Sequence, residues 1–327
     1  MSAEVTPRVN WASVGLFVVL ALGLAWLVAI PLWATGPGDP MFPMLLPVIG
    51  AVMMFTPTIA AVSTMLIMRE PRRGSLRSLG IWPFRPVKRL VWWSVSVIVA
   101  VPLLVAASVG IAAAFGWLAL DLVGFSGYLE TIWESLPAAA GSEAIKALPP
   151  VGMLIVVQLL MIPFGAVINA IPAAGEEIGW RGWLLPHLLP LGTWPALIIS
   201  GVIWGVWHSP LLLLGYNFGL TDWRGVALMA VACTLWGALL GWMRLRTGSV
   251  WPAAFAHGAL NAAGGLYLML YSAGSQPLPA LAAPLGVAGW IAVAATIAVL
   301  ILTGQFAPRR WQQLAPARER RNREAQA

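Results

Sequence analysis

Ile171-Pro172-Ala173-Ala174-Gly175-Glu176-Glu177-Ile178-Gly179-Trp180-Arg181-Gly182-Trp183-Leu184-Leu185-Pro186 sets two adjacent carboxylates in an otherwise strongly apolar run. The chain around it decides what kind of environment that run occupies. Of 327 residues, 60% are hydrophobic and 9% are charged, whereas soluble domains carry about 25% charged residues. No large core accounts for that deficit, because a soluble surface of this size still needs charge. The composition therefore specifies an all-α polytopic membrane protein. A bilayer core about 30 Å thick takes roughly 20 apolar residues per helical crossing, and the sequence supplies such runs repeatedly.

Working outward from the glutamates, eight apolar spans are expected. They lie near Val14–Trp33, Met44–Met68, Val91–Trp117, Val151–Ile171, Trp194–Leu214, Val226–Met243, Trp251–Tyr271 and Pro284–Gly304. The first is too long for a signal-peptide core and lacks a convincing cleavage site, so it is read as a span. The expected organisation is an N-terminal tail (1–12), one membrane domain (13–305) and a basic C-terminal tail (306–327). The single cysteine, Cys233, falls inside an apolar run and reads as a small buried residue rather than a thiol site.

Charge predicts the orientation. Arg8, the cluster Arg69, Arg72, Arg73, Arg77, Arg85, Lys88 and Arg89, the pair Arg244 and Arg246, and the tail arginines from Arg309 to Arg323 share one side if both termini do. Lys146 and Arg224 fall on the other, with Asp121, Glu130, Glu134 and Glu143. By the positive-inside rule both termini are then cytoplasmic. The net charge of +7 is thus accounted for by topology and by attraction to anionic lipid, and no nucleic-acid partner is expected.

Within the spans, ionisable groups cost at least about 2.5 kcal/mol each on insertion scales, so those that persist serve function or pair with one another. Glu177 and Arg181 are four residues apart, one helical turn, which predicts a local ion pair. That leaves Glu176 without a local partner. Gln158, Asn169 and Glu176 share one helix face by spacing and predict a polar stripe. Two of the three histidines lie in other spans: His208 four residues after Trp204, and His257 four before Asn261. The third, His187, sits in the Pro186–Pro190 connection and reads as an interfacial side chain.

Glu176, His208, His257 and Asn261 together suit hydrolysis. A carboxylate and an imidazole can deprotonate water, while an amide and a second imidazole can donate to an oxyanion. One carboxylate and two histidines, Glu176, His208 and His257, would equally make a catalytic Zn²⁺ ligand set with an open position. The residues alone leave both readings open. The His-Glu-x-x-His helix of common zinc proteases is absent, and Ser209 has no evident base and acid pair.

These residues resemble the three motifs of the CPBP family, the CAAX proteases and bacteriocin-processing enzymes also called Abi, which include the type II CAAX prenyl endopeptidases. The matching pieces are Glu176-Glu177-x-x-x-Arg181, Trp204-x-x-x-His208 and His257-x-x-x-Asn261, within Val151–Tyr271. Trp204 stands where the family usually has Phe. The resemblance implies eight membrane helices around a conical, cytoplasm-facing cavity. It also implies that Glu176 and His208 activate water, that His257 and Asn261 form the oxyanion site, and that Glu177, Arg181 and Trp204 support them. Whether such enzymes use a metal or a metal-free glutamate is left open by the resemblance. The implied function is intramembrane proteolysis of a membrane-associated or lipidated protein or peptide. The alternatives are a non-catalytic immunity or peptide-binding membrane protein, or a proton-coupled transporter, for which a repeat with paired broken helices is not seen. The Ala-, Arg-, Gly- and Trp-rich composition and short loops read as bacterial, which points to the plasma membrane.

Overall fold

The computed structural model describes residues 8–70, 75–135 and 148–307. The expected C-terminal tail lies outside these residues beyond 307, as do the first seven residues of the N-terminal tail. The described residues are nearly all helical and contain no strand; one isolated bridge joins Leu120 to Tyr271. Nine principal helices run α1 Trp11–Thr35, α2 Phe42–Met53, α3 Thr56–Ile67, α4 Val87–Ala114, α5 Val151–Glu177, α6 Thr193–Trp207, α7 Trp223–Thr247, α8 Trp251–Ala263 and α9 Val287–Leu302.

Six helical segments are long and apolar enough to cross a membrane, which makes this an integral membrane protein. The α2 and α3 helices form one of them, Phe42–Ile67, with a bend at Met54–Phe55. The two remaining expected spans are not uninterrupted helices. The 15 residues of α6 and the 13 of α8 would reach only about 22 and 20 Å at 1.5 Å per residue, short of the bilayer core. Each breaks and resumes as a short helix, Ser209–Leu212 and Leu266–Leu270. The cause lies in the sequence: Pro210 follows the break after α6, and Gly264-Gly265 follows α8. Broken helices are tolerated at membrane depth where protein or a cavity surrounds them.

Polar contacts define the two ends of the bundle. At one end Arg244 donates to the carbonyl of Ser78 at 2.7 Å, Val250 N–H to that of Gly80, and Arg89 to that of Arg246. This end gathers the basic connections. At the opposite end Trp33 donates to the Pro210 carbonyl at 2.9 Å, Asp121 N–H to Leu270, and Ser272 N–H to Ala119.

The broken helices sit in the middle of the bundle because glycine lets their backbones approach their neighbours. A Cβ on Gly258 of α8 would lie 2.4 Å from the Ala166 carbonyl oxygen of α5, and one on Gly205 of α6 would lie 2.3 Å from the Ala230 Cα of α7. Small residues at helix interfaces are the usual route to close packing in membranes. Each of these glycines is within three residues of a histidine, so the same contacts fix His257 and His208 in place.

Candidate active site

The helix α5 does not end at the glutamates. It passes into a π-helical segment, Ile178–Leu184, before an α turn at Leu185–Leu188. Such bulges widen the helix locally and recur at functional sites. Here the bulge buries Trp180, Arg181 and Trp183 completely or nearly so. Phe17 of α1 packs its ring edge-on against Trp180 and stacks on Trp183.

The two carboxylates diverge at this point. Glu177 is fully buried, and its Oε1 accepts from Arg181 Nη1 at 2.9 Å and from His257 Nδ1 at 3.0 Å. Its Oε2 has no hydrogen-bond partner among the described residues. The pair with Arg181 is the one the spacing predicts; the bond to His257, eighty residues away, is not visible in the sequence. Glu176 Oε2 accepts from two indoles, Trp204 Nε1 at 2.5 Å and Trp180 Nε1 at 3.3 Å. Both bonds fall on one oxygen, which leaves Oε1 for another partner.

Trp204 is the hub of the cluster. The Arg181 guanidinium lies 4.1 Å over its ring, a cation–π contact, and the His257 and His208 rings sit 5.3 and 5.9 Å away. Trp207 adds an edge contact to His208 at 4.7 Å. His208 Nδ1 lies 2.9 Å from the Trp204 carbonyl oxygen. A carbonyl can only accept, so Nδ1 carries the proton and Nε2 keeps its lone pair.

Glu176, Trp204, His208, His257 and Asn261 all line one cavity of about 590 Å³. Glu177 and Arg181 do not reach it and lie behind it. Asn169 lines the cavity too, but Gln158 does not: it accompanies a separate pocket and donates to Tyr128 at 3.2 Å. The expected stripe is thus shorter than its spacing suggests, since Gln158 and Glu176 are about 27 Å apart along a helix rising 1.5 Å per residue. His187 is at the basic end, stacked on Trp183 and 3.4 Å from Glu70. There the Glu70 carboxyl is held below its usual range: burial acts to raise it, but the His187 and Trp183 bonds outweigh that. Cys233 is buried at the cavity wall with a free thiol. The sequence reading did not single out Trp180, Trp207, Tyr216 or Asn217, all of which touch the cluster or its cavity.

The conditional zinc set is not assembled. Among the described residues no three His, Cys, Asp or Glu side chains converge closely enough to hold a metal ion. The cavity lining runs from mid-depth toward the end opposite the basic loops, through Tyr216, Asn217, Gly265 and Leu268 to Leu285, and no basic-end connection contributes to it.

Residues 155–263 match the model of the Rce1-like family, the type II CAAX prenyl endopeptidases. No curated protein matches the chain. The matched segment, about one third of the sequence, contains all three motifs and the helices α6 and α8, and over that segment it supports a CAAX protease (CPBP) family assignment.

Proposed function

We propose that this chain is an intramembrane endopeptidase that hydrolyses a peptide bond of a membrane-associated or lipidated polypeptide. The observation that carries this reading is that Glu176, His208, His257 and Asn261, drawn from three helices, line a single cavity while the Glu177–Arg181 pair stands behind it. A mostly apolar cavity that carries these few polar side chains can hold the water that a hydrolase needs and the bilayer does not supply.

Glu176 and His208 both line the cavity and serve in this reading as its two bases, through Oε1 and Nε2, the atoms not taken up by the bonds to Trp180, Trp204 and the Trp204 carbonyl. A water held between them loses a proton to one of them as its oxygen attacks the scissile carbonyl carbon. The C–O bond forms, and the carbonyl π pair moves onto oxygen. The Asn261 amide and His257 Nε2 donate to that oxyanion. For His257 to donate there, both its nitrogens must carry protons, and the Glu177 carboxylate 3.0 Å from Nδ1 is the counter-charge that such a ring requires. Collapse of the intermediate breaks the C–N bond, and the proton taken from water passes to the leaving amine. No step runs through a metal, because the ligand set does not converge.

The test is cleavage of a quenched fluorescent lipopeptide by purified protein in detergent. His208→Ala should lower the rate by about 10²–10⁴-fold, the usual worth of a general base. Asn261→Ala should lower it by about 10²–10³-fold if it is an oxyanion donor. Full activity in both variants, or lipopeptide binding without turnover in the unmodified protein, would overturn the reading.

A further inference from the structure

Where the substrate enters follows from two independent observations. The first is the distribution of fixed charge over the bundle. Arg69, Arg77, Arg85, Lys88, Arg89, Arg244 and Arg246 lie in the connections and helix ends at one end, tied together by the Arg244–Ser78 and Arg89–Arg246 contacts. The opposite end has, among the described residues, Arg224 as its basic group, and that side chain is paired with Asp222 at 2.8 Å. Asp39, Asp121, Glu130 and Glu134 give this end an acidic excess. A contrast this large fixes insertion with the basic end in the cytoplasm.

The second observation is the shape of the cavity. Glu176 and His257 form its floor at mid-depth, and its upper wall is made by α2 from Leu46 to Ala51, by Tyr216, Asn217 and Gly265 in connections of the acidic end, and by Leu268 in the short helix after α8. Tyr216 and Leu268 are 38% and 37% exposed, so the wall reaches the surface there. Toward the basic end the floor is closed by the buried ring of Trp180, Trp183, Arg181 and Arg244. Arg244 donates to the Arg181 carbonyl at 3.1 Å and seals the gap between α7 and the π segment.

From these together we infer that the substrate reaches Glu176, His208 and His257 from the non-cytoplasmic side, so that the bond cut belongs to a non-cytoplasmic segment of a membrane-associated polypeptide. The inference rests on the proposed proteolysis for its substrate, and on geometry and charge alone for its direction. A polypeptide anchored in the outer leaflet would present its juxtamembrane residues to the mouth at Tyr216 and Leu268. A cytosolic carboxy-terminal tail would meet the closed floor.

Cysteine accessibility separates the two directions without requiring activity. With Cys233→Ala as background, Gly50→Cys places a thiol on the cavity wall where an added Cβ meets no atom within 4 Å. Tyr216→Cys marks the mouth and Ser78→Cys the basic end. A membrane-impermeant methanethiosulfonate is applied to right-side-out and inside-out vesicles from expressing cells. The expected result is modification of Gly50→Cys and Tyr216→Cys in right-side-out vesicles and of Ser78→Cys in inside-out ones. Modification of Gly50→Cys from the inside-out face, or its failure to react from either face while both end markers do, would overturn the inference. Loss of cleavage plays no part in this readout. Outward labelling combined with an inactive protein would therefore refute the protease reading and leave the direction standing.

Discussion

Replacing Glu177 by Gln removes a charge from the most enclosed part of the site, and its cost can be worked from the contacts. Glu177 is fully buried and its Oε1 serves both Arg181, at 2.9 Å, and His257, at 3.0 Å. Arg181 is itself only 2% exposed, so the variant leaves a guanidinium in the bundle without its counter-charge. Breaking a buried pair by removing one partner costs about 3–5 kcal/mol. The Gln carbonyl still accepts one hydrogen bond, worth about 1 kcal/mol, and the Trp204 ring under the guanidinium contributes roughly another 1 kcal/mol in both forms. The expected net loss is about 2–4 kcal/mol. Reversible unfolding in mixed micelles of increasing SDS, followed by tryptophan fluorescence, measures it. Adding Arg181→Met removes the orphaned cation, so the double variant should be more stable than the sum of the two single losses by at least about 1 kcal/mol, well beyond the scatter expected for independent sites. Losses that add to within about 0.5 kcal/mol, or a Glu177→Gln variant as stable as the parent, would refute the assignment of Glu177 as the structural carboxylate.

Other contacts carry their own consequences. Trp204→Phe keeps a ring over Arg181 and beside His257 but loses the indole donor to Glu176; the fold should persist while the cleavage rate falls by at least about tenfold, as expected for losing a hydrogen bond to a charged group. Gly258→Ala drives a methyl to within 2.4 Å of the Ala166 carbonyl oxygen; it should cost about 1–3 kcal/mol by overpacking and displace His257, read as lower stability together with lower turnover. Arg244→Lys keeps a charge but loses the fork that bonds the Arg181 and Ser78 carbonyls, and SDS unfolding should show a weakened basic end. Exhaustive chelation should leave the cleavage rate unchanged, since the residues do not converge on a metal; loss of activity restored by added Zn²⁺ would contradict that geometry.

Much of this was legible in the residues because membrane insertion makes composition decisive. Long apolar runs marked the helices, and the one-turn spacing of Glu177 and Arg181 marked their pair. Spacing along one helix, however, says nothing about height. Gln158 shares a face with Glu176 yet lies far from it and serves a different pocket. Hydropathy also blurs a break: the segments 194–214 and 251–271 read as whole spans, although Pro210 and Gly264-Gly265 divide them. The bond from His257 to Glu177, the indoles on Glu176 and the π segment depend on how distant helices meet. Only the small residues at Gly205 and Gly258 hinted at where that would be close. Charge predicted an orientation and the family resemblance a cavity direction. Neither could show which end of the bundle the cavity lining extends toward, since that depends on the connections after α6 and α8.

Glu176 is the carboxylate that faces the cavity, and its removal is the most direct test of the account. Glu176→Gln keeps an oxygen for the two indoles while removing the proposed base, so purified variant and parent can be compared for lipopeptide cleavage and SDS unfolding in the same preparation. The account predicts a rate lower by at least about 100-fold with no loss of stability. A variant that is as active as the parent, or one whose activity falls only because it unfolds, would contradict it.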